Sequence, residues 1–313
     1  MHRVVKDCLK AAYFHLYILG MRLGVAVIPV HYYSSEPDIA RLEKTKEAWS
    51  APSSLAGIHV DLDEQARVLS DVCVPYRHEY AGNQTYLSAV QEGFGPGYGF
   101  IEAQALHGVI RHFRPKRIVE VGSGVSTACS LHATGMNERD TGNRAVVRCV
   151  EPFPSVHIRR LAREGAVELV DKPVQETSTS VFADLEANDV LFIDSSHVVK
   201  AGSDVVHIVL EILPRLNSGV VVHIHDIYFP YIYQRDLLQT FLHNNETPFV
   251  AAFLAFNPGF RILFSLSHLH YERTDSIRNT FPDYRLQPGW RGLRLNENLK
   301  GTHYPSALWL TVA

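Results

Sequence analysis

Short runs of apolar, mostly β-branched residues recur in the second half of the chain, and a polar residue closes each run. The runs are Arg117–Val121, 145–150, 166–170, Val190–Ile193 and 220–224. Segments with apolar residues at helical spacing lie between them, as at 155–164 and 204–213. Because strands that read as continuous apolar runs are buried on both faces, this alternation is typical of a parallel sheet between helices. The sequence therefore predicts an α/β fold whose ligands bind beyond the carboxyl ends of the strands.

Residues 1–99 show no such regular alternation. They contain a turn-rich stretch at 34–38 and a short helical piece at 63–72, and a glycine-rich stretch follows at 93–99. We expect a helical and irregular N-terminal extension over 1–99, which supplies a substrate cap or oligomer contacts. The main domain is expected over 100–313.

The composition limits the partners and the compartment. With 46% hydrophobic and 20% charged residues, the chain can build a sizeable core. Its net charge of −3 gives no indication of the basic face that binds nucleic acid. The four cysteines form no CxxC pair, which favours a reducing compartment. We therefore expect a cytoplasmic protein with a small-molecule substrate and no nucleic-acid partner.

The segment 11–30 is the most apolar stretch of the chain. It carries His15 and Arg22 and is interrupted by glycines and Pro29, whereas a membrane-spanning helix needs about 20 apolar residues without such breaks. The sequence therefore predicts no transmembrane segment here. A buried or partner-facing helix followed by a strand is the expected structure, and a peripheral membrane contact and a homo-oligomer contact are the alternatives.

The end of the first apolar run has the form of a ligand-binding turn. Glu120, Gly122, Gly124 and Ser126 form an acidic-x-Gly-x-Gly-x-Ser sequence before a predicted helix at 127–134. Glycines let the backbone turn sharply and approach a ligand closely. A dinucleotide site would need a third glycine where Thr127 stands. Glu120 also favours a cationic ligand group over a phosphate, and a tight turn without a ligand is the alternative.

Two side chains after the next runs fit a nucleoside. Glu151 closes the second run, where a carboxylate can accept hydrogen bonds from both hydroxyls of a ribose. Gln175 follows the third run, and its side-chain amide can donate to and accept from a purine edge. A solvated carboxylate at Glu151 is the alternative.

Carboxylates and histidines follow the fourth and fifth runs. Asp194 is followed by His197, and the fifth run leads to His225 and Asp226. Carboxylates and imidazoles together can bind a divalent metal, and His197 can act as a general base. His223 is expected to face the opposite side of the strand and to pack in the core. The two aspartates could instead cap the following helices.

These strand ends resemble those of the class I S-adenosylmethionine (SAM)-dependent methyltransferases, in particular a bacterial branch. The motifs EVGSG at 120–124, FIDSSH at 192–197 and HIHD at 223–226 carry the resemblance. It implies a Rossmann-like seven-stranded sheet with six parallel strands, an antiparallel last strand at 306–312 and helices on both faces. The residues then expected to bind SAM are Glu120, Gly122, Gly124, Ser126, Thr127, Glu151, Gln175 and Asp194.

The same edge is similar to that of metal-dependent O-methyltransferases of catechol and antibiotic sugars. Their pattern implies Asp194, His225 and Asp226 as metal ligands and His197 as the base. The sequence departs from it at His225, where those families usually have a carboxylate. Since a neutral imidazole suits Mn²⁺, Fe²⁺ or Zn²⁺ better than a hard cation, Mg²⁺ is the less favoured metal.

The sequence thus predicts an enzyme, a SAM-dependent methyltransferase that methylates a hydroxyl of a small molecule, sugar or polyketide. A nicotinamide-dependent oxidoreductase, a non-catalytic SAM-fold assembly protein and a metal-dependent hydrolase or oxygenase are the alternatives. The acceptor pocket is expected to involve the extension, the 95–99 loop and residues 228–234. Four tyrosines in these segments can stack on an acceptor or hydrogen-bond to it: Tyr98, Tyr228, Tyr231 and Tyr233.

Overall fold

One sheet of seven strands forms the centre of the protein in a computed structural model, which describes residues 2–95, 97–294 and 301–313. The strands are β1 (Arg117–Val121), β2 (Val146–Val150), β3 (Glu168–Val170), β4 (Val190–Ile193), β5 (Val221–Ile224), β6 (Phe260–Ser265) and β7 (Leu308–Val312). Their order is β3-β2-β1-β4-β5-β7-β6. β7 runs antiparallel to β5 and β6, and the other pairs are parallel. The predicted sheet of six parallel strands and one antiparallel strand is confirmed.

Helices precede the sheet and connect its strands. They are α1 (His2–Arg22), α2 (Ile39–Trp49), α3 (Leu62–Cys73), α4 (Arg77–Tyr80), α5 (Gln84–Glu92), α6 (Phe100–Phe113), α7 (Val125–Thr141), α8 (Val156–Arg163), α9 (Ser180–Ala183), α10 (Asp204–His207), α11 (Glu246–Leu254), α12 (Leu266–Glu272) and α13 (Thr274–Thr280). A π-helical turn, Ile208–Ile212, continues α10. Ser155 caps α8 and Ser203 caps α10 by accepting a hydrogen bond from a backbone amide of the first turn.

Alternate residues of the strands enter two separate cores, one on each face of the sheet. In β4, Val190 and Phe192 belong to one core, while Leu191 and Ile193 belong to the other. Side chains on a strand alternate between its two faces, so both faces are covered. This burial explains why the strands read as continuous apolar runs, and it confirms the expected helices on both faces.

The chain divides into two compact units, residues 1–49 and 50–313. Helices between residues 62 and 92 contribute to the core of the second unit. Leu69 of α3 and Ala89 of α5 are buried in the same core as β1. No helix in the described ranges has both the length and the apolar character needed to cross a bilayer.

The extension is helical and irregular, as expected. The helix expected within 11–30 is present as α1, and α3 confirms the short helical piece expected at 63–72. The strand expected after that helix is wrong, because residues 25–30 form no strand. Helix α7 is also longer than the expected 127–134, since it continues to Gly142, which ends it in the left-handed conformation.

Trp309 of β7 gives a direct test of the core. Its fully buried ring packs against His223 at a centroid distance of 4.5 Å and Phe264 at 6.1 Å. Trp309→Ala is expected to lower the free energy of unfolding by about 3–5 kcal/mol, because it removes a large buried ring and leaves a cavity. Urea denaturation followed by circular dichroism measures this change. Val156→Ala is the control, since Val156 is 74% exposed, and equal losses in both variants would contradict the placement of Trp309.

Candidate active site

The turn after β1 requires glycine at its first position. Gly122 has a φ of 98°, which favours glycine. A Cβ atom there would lie 2.3 Å from the carbonyl oxygen of Asp194. Gly124 has extended backbone, and a Cβ there would lie 3.3 Å from the carbonyl oxygen of Phe94. The turn is therefore packed directly against the end of β4.

Three of the residues predicted to bind the cofactor form hydrogen bonds that stabilise this turn. The buried carboxylate of Glu120 accepts hydrogen bonds from Ser126 Oγ at 2.5 Å and Thr127 Oγ1 at 2.7 Å. Thr127 Oγ1 also accepts from the backbone amide of Gly124 at 3.0 Å. Burial raises the pKa of Glu120 to about 7, although these hydroxyls favour its charged form. The structure therefore gives Glu120, Ser126 and Thr127 a supporting position rather than a place on the cavity wall.

A cavity of about 460 Å³ lies beyond the carboxyl ends of β1, β2 and β4. Among the described residues, four predicted ones line it: Gly122, Glu151, Gln175 and Asp194. Glu151 accepts hydrogen bonds from Ser123 Oγ at 3.1 Å and from the backbone amide of Phe153 at 2.8 Å. Gln175 Nε2 donates to the carbonyl oxygen of Gly202 at 2.8 Å. The residues predicted to bind ribose and purine thus share one cavity.

The predicted metal and base residues meet at the ends of β4 and β5. Asp194 Oδ1 lies 3.2 Å from His197 Nε2 and 3.3 Å from His225 Nδ1. Asp226 Oδ2 lies 4.0 Å from His197 Nε2, and Asp226 Oδ1 accepts a hydrogen bond from Ser306 Oγ at 2.7 Å. The structure therefore brings these four strand-end residues together, as the sequence predicts.

Two further carboxylates join this cluster, and the sequence analysis missed both. Glu246, at the start of α11, is buried, and its Oε2 atom lies 2.8 Å from His197 Nδ1. Glu102, in α6, is buried with Oε1 3.4 Å from His225 Nε2. Each carboxylate lies on a helix that is far along the chain from its histidine. The spacing of residues in the sequence therefore could not have identified Glu246. An acidic residue inside the apolar sequence of α6 was the one available signal for Glu102.

The surrounding carboxylates raise the pKa of both histidines. Burial alone would lower the pKa of His197, but hydrogen bonds with Asp194 and Glu246 raise it to about 10. Burial opposes the charge of His225 as well, yet the nearby carboxylates of Asp194, Asp226 and Glu102 raise its pKa well above the ordinary value. The histidines in turn lower the pKa of Asp194, whereas burial raises the pKa of Glu246. Four carboxyl groups therefore lie around two imidazoles, which makes the cluster rich in acidic groups.

His223 lies on the same face of β5 as His225, so its expected orientation is wrong. Residues two apart on a strand share a face, and the two rings are 6.2 Å apart. The expectation that His223 packs in the core is confirmed: the ring stacks on Phe192 at 4.1 Å and contacts Trp309. Burial lowers the pKa of His223 well below the ordinary value. His223 is therefore a neutral support beneath His225.

A second cavity, of about 730 Å³, lies on the other side of the cluster. His225 and Asp226 line it, together with two of the tyrosines expected to form an acceptor pocket, Tyr98 and Tyr228. Its lining also includes the nearly buried guanidinium of Arg235, which the sequence analysis did not single out. Since Asp194 lines the first cavity and contacts His225, the cluster separates the two cavities.

The donor atoms of this cluster fit a divalent cation. One ligand atom from each of Asp194, His197 and His225 lies within 4.8 Å of the others, and the buried Nδ1 of His225 makes no hydrogen bond. A carboxylate with two imidazoles suits Mn²⁺, Fe²⁺ or Zn²⁺. His197, expected to be the base, belongs to this group of three, while Asp226, expected to be a ligand, lies beside it.

Comparison with known proteins places part of the chain in a family. Residues 119–227 match a family model described as a methyltransferase domain. A protein of Archaeoglobus fulgidus described as uncharacterized is 30% identical over 173 residues, which cover 53% of this chain and 76% of the archaeal protein. The chain belongs to the same family as this archaeal protein.

Two solved structures show a distant likeness in shape. The plantazolicin methyltransferase BpumL, in complex with a triazolic desmethylPZN analog and SAH, has a TM-score of 0.39 and 11% identity, covering 81% of this chain and 99% of its own. The 1,6-didemethyltoxoflavin-N1-methyltransferase of Burkholderia thailandensis, with 1,6-didemethyltoxoflavin and S-adenosylhomocysteine bound, has a TM-score of 0.38 and 16% identity, covering 90% of this chain and 97% of its own. Residues 119–227, which match the methyltransferase-domain model, include most of β1, all of β2 to β5 and the clustered strand ends.

Gly122→Ala is expected to weaken the binding of S-adenosylhomocysteine about tenfold or more. The new Cβ would meet the carbonyl oxygen of Asp194 at 2.3 Å, and the strained backbone would shift a wall of the cavity. Titration calorimetry measures the affinity. Gly135→Ala is the matched control, because a Cβ there would meet nothing within 4 Å. Unchanged affinity in Gly122→Ala would contradict the assignment of this cavity to the cofactor.

Proposed function

We propose that this protein transfers the methyl group of SAM to a hydroxyl of a small-molecule acceptor. The contact between Asp194 and His225, 3.3 Å long, is the observation that carries the proposal. Asp194 lines the cavity of about 460 Å³ and His225 lines the cavity of about 730 Å³. A methyl donor in the first cavity and an acceptor in the second would therefore meet at this contact.

Positioning is the main task of the chain in this reaction. Methyl transfer needs the acceptor oxygen about 3 Å from the methyl carbon and in line with the leaving sulfur, which orientation on a rigid frame provides. Glu151 and Gln175 would hold the ribose and the purine of SAM. Tyr98 and Tyr228 would hold the acceptor, since both residues line the second cavity and an aromatic ring can stack on an acceptor.

His197 is proposed as the base that removes the proton of the acceptor hydroxyl. Its Nδ1 lies 2.8 Å from Glu246 Oε2, while its Nε2 is on the side of Asp194 and Asp226. A carboxylate bound to one ring nitrogen fixes the orientation of an imidazole. Proton removal requires the neutral ring, and a divalent cation at Asp194 would favour that form by offsetting the carboxylates that raise the pKa of His197. Glu246 is therefore proposed as a positioning residue.

Asp194 and His225, two of the three residues whose donor atoms lie within 4.8 Å of one another, are proposed to hold a divalent cation together with Asp226, with Mn²⁺, Fe²⁺ or Zn²⁺ favoured by the imidazole. The third member of that group, His197, is assigned to the base, and Asp226 takes its place among the ligands. When bound, such a cation lowers the pKa of a coordinated hydroxyl. The excess of carboxylates in the cluster supports this proposal, because a cation would balance their charge. The free, buried thiols of Cys73, Cys129 and Cys149 agree with the reducing cytoplasmic compartment that we also propose.

His197→Ala is expected to reduce turnover by about 100-fold or more while the affinity for SAM stays within about twofold, because a general base contributes about that factor to the rate and lies outside the cofactor cavity. The readout is release of S-adenosylhomocysteine over a panel of phenolic and sugar acceptors, with affinity from calorimetry. Glu246→Gln is expected to lose about tenfold in kcat, since it keeps the shape but weakens the orienting contact.

Asp171→Asn is the control for these variants, because Asp171 is exposed and pairs with Arg159 at 2.8 Å, away from both cavities. Normal turnover by His197→Ala would exclude His197 as the base. Binding of NAD in place of SAM in the same calorimetric experiment would instead favour the nicotinamide-dependent oxidoreductase.

Asp194→Asn is expected to lose the bound metal, because it replaces the carboxylate that contacts both imidazoles. Elemental analysis after dialysis should find about one equivalent of Mn, Fe or Zn in the wild-type protein and in Asp171→Asn, and much less in Asp194→Asn. Turnover of the wild-type protein should fall after treatment with a chelator and return when the metal is restored. Full activity without metal would contradict this part of the proposal.

A further inference from the structure

The N-terminal unit exposes an unusual amount of apolar surface. No side chain between residues 9 and 49 is buried. Eleven large apolar side chains between residues 9 and 30 are each more than a third exposed: Leu9, Tyr13, Phe14, Leu16, Ile18, Leu19, Met21, Leu23, Val25, Val27 and Val30. Apolar patches of this size on a protein mark a surface that binds a partner or a membrane. We call residues 9–30 the N-terminal apolar segment.

The two halves of the N-terminal apolar segment fold back on each other. Tyr13 Oη donates to the carbonyl oxygen of Val27 at 2.6 Å, and the backbone amide of Val25 donates to the carbonyl oxygen of Gly20 at 2.9 Å. The stretch after α1 therefore lies beside the helix instead of extending away from it. The exposed apolar side chains of both halves therefore belong to one joined structure.

The exposed apolar residues of α1 point in all directions around the helix. With 3.6 residues per turn, Tyr13, Ile18 and Leu19 fall on different sides, and they are 39%, 37% and 54% exposed. A second copy of the chain or a partner helix would cover one stripe and leave the other sides in water. Lipid can surround a helix on most of its sides, so the distribution favours a membrane.

The charges around the N-terminal apolar segment favour anionic lipid. Lys10 and Arg22 flank the part of α1 without charged residues, and no acidic residue occurs between Asp7 and Glu36. Basic side chains next to an apolar surface are attracted to anionic headgroups. The eleven residues between Lys10 and Arg22 span roughly 16 Å as a helix, well short of the ~30 Å hydrocarbon core. This length fits insertion at the interface.

We propose that the N-terminal apolar segment inserts into the interface of an anionic lipid bilayer and attaches the protein to it. Lys10 and Arg22 lie among the headgroups, and the apolar side chains between them enter the acyl boundary. Tyr32 and Tyr33, which are exposed just beyond the segment, suit the same boundary because a tyrosine has an apolar ring and a polar hydroxyl.

Flotation of the full-length protein with vesicles tests this proposal. Vesicles of phosphatidylcholine with about one-third phosphatidylglycerol should carry the wild-type protein to the top of the gradient, and vesicles of phosphatidylcholine alone should carry about tenfold less. The double variant Leu16→Glu/Leu19→Glu should bind the anionic vesicles about tenfold or more weakly, because two apolar side chains become charged. High salt should reduce binding of the wild-type protein.

The matched control is Val156→Glu/Leu210→Glu, which adds the same charge at two exposed apolar residues of the other unit. This variant should float as the wild-type protein does. Phe14→Trp provides a second readout that leaves the charge unchanged: its emission should shift to the blue on anionic vesicles and be quenched by brominated lipid.

Several outcomes would overturn the proposal. The wild-type protein could stay at the bottom of the gradient, or Leu16→Glu/Leu19→Glu could float as well as the control. Lack of quenching of Phe14→Trp in bound protein would place the segment outside the lipid. A dimer in ultracentrifugation that dissociates in Leu16→Glu/Leu19→Glu, with no flotation of either form, would assign the segment to a second copy of the chain.

Discussion

The carboxylate of Asp194 connects the parts of this protein that must act together. The backbone amide of Asp194 donates to Val121 of β1 at 3.0 Å, and its carbonyl oxygen leaves no room for a side chain at Gly122. The side chain contacts His197 and His225 on the other side. A shift of this one residue would therefore move the turn, both imidazoles and the shared boundary of the two cavities.

Regular features of the sequence predicted the sheet well, because burial on both faces produces apolar runs that are visible without a structure. Convergence of Asp194, His197 and Asp226 was predictable for a related reason, since parallel strands end at one edge. Glu246 reaches His197 from a residue 49 positions later in the chain, and contacts of this kind follow only from tertiary packing. The error at His223 came from reversing the face that residues two apart share.

The cofactor turn shows how a motif can indicate a site while some of its residues act through the backbone. A cavity lies after β1, where the sequence pattern predicts a ligand, and Gly122 lines it. Glu120 is buried beneath the turn, where hydroxyls of the following helix occupy both of its oxygens. A motif residue can thus shape the backbone that meets a ligand, and sequence alone does not separate this role from direct contact.

The position of β7 has a consequence for how the protein is made. β7 lies between β5 and β6, and among the described strands β6 pairs with β7 alone. The ribosome synthesises β6 well before residues 308–312. The edge of β5 that pairs with β7 therefore stays unpaired until β7 has been synthesised. Ser306, just before β7, donates a hydrogen bond from its backbone amide to Glu102 and one from its hydroxyl to Asp226. The contacts of Ser306 with the cluster therefore form only after this part of the chain has been synthesised.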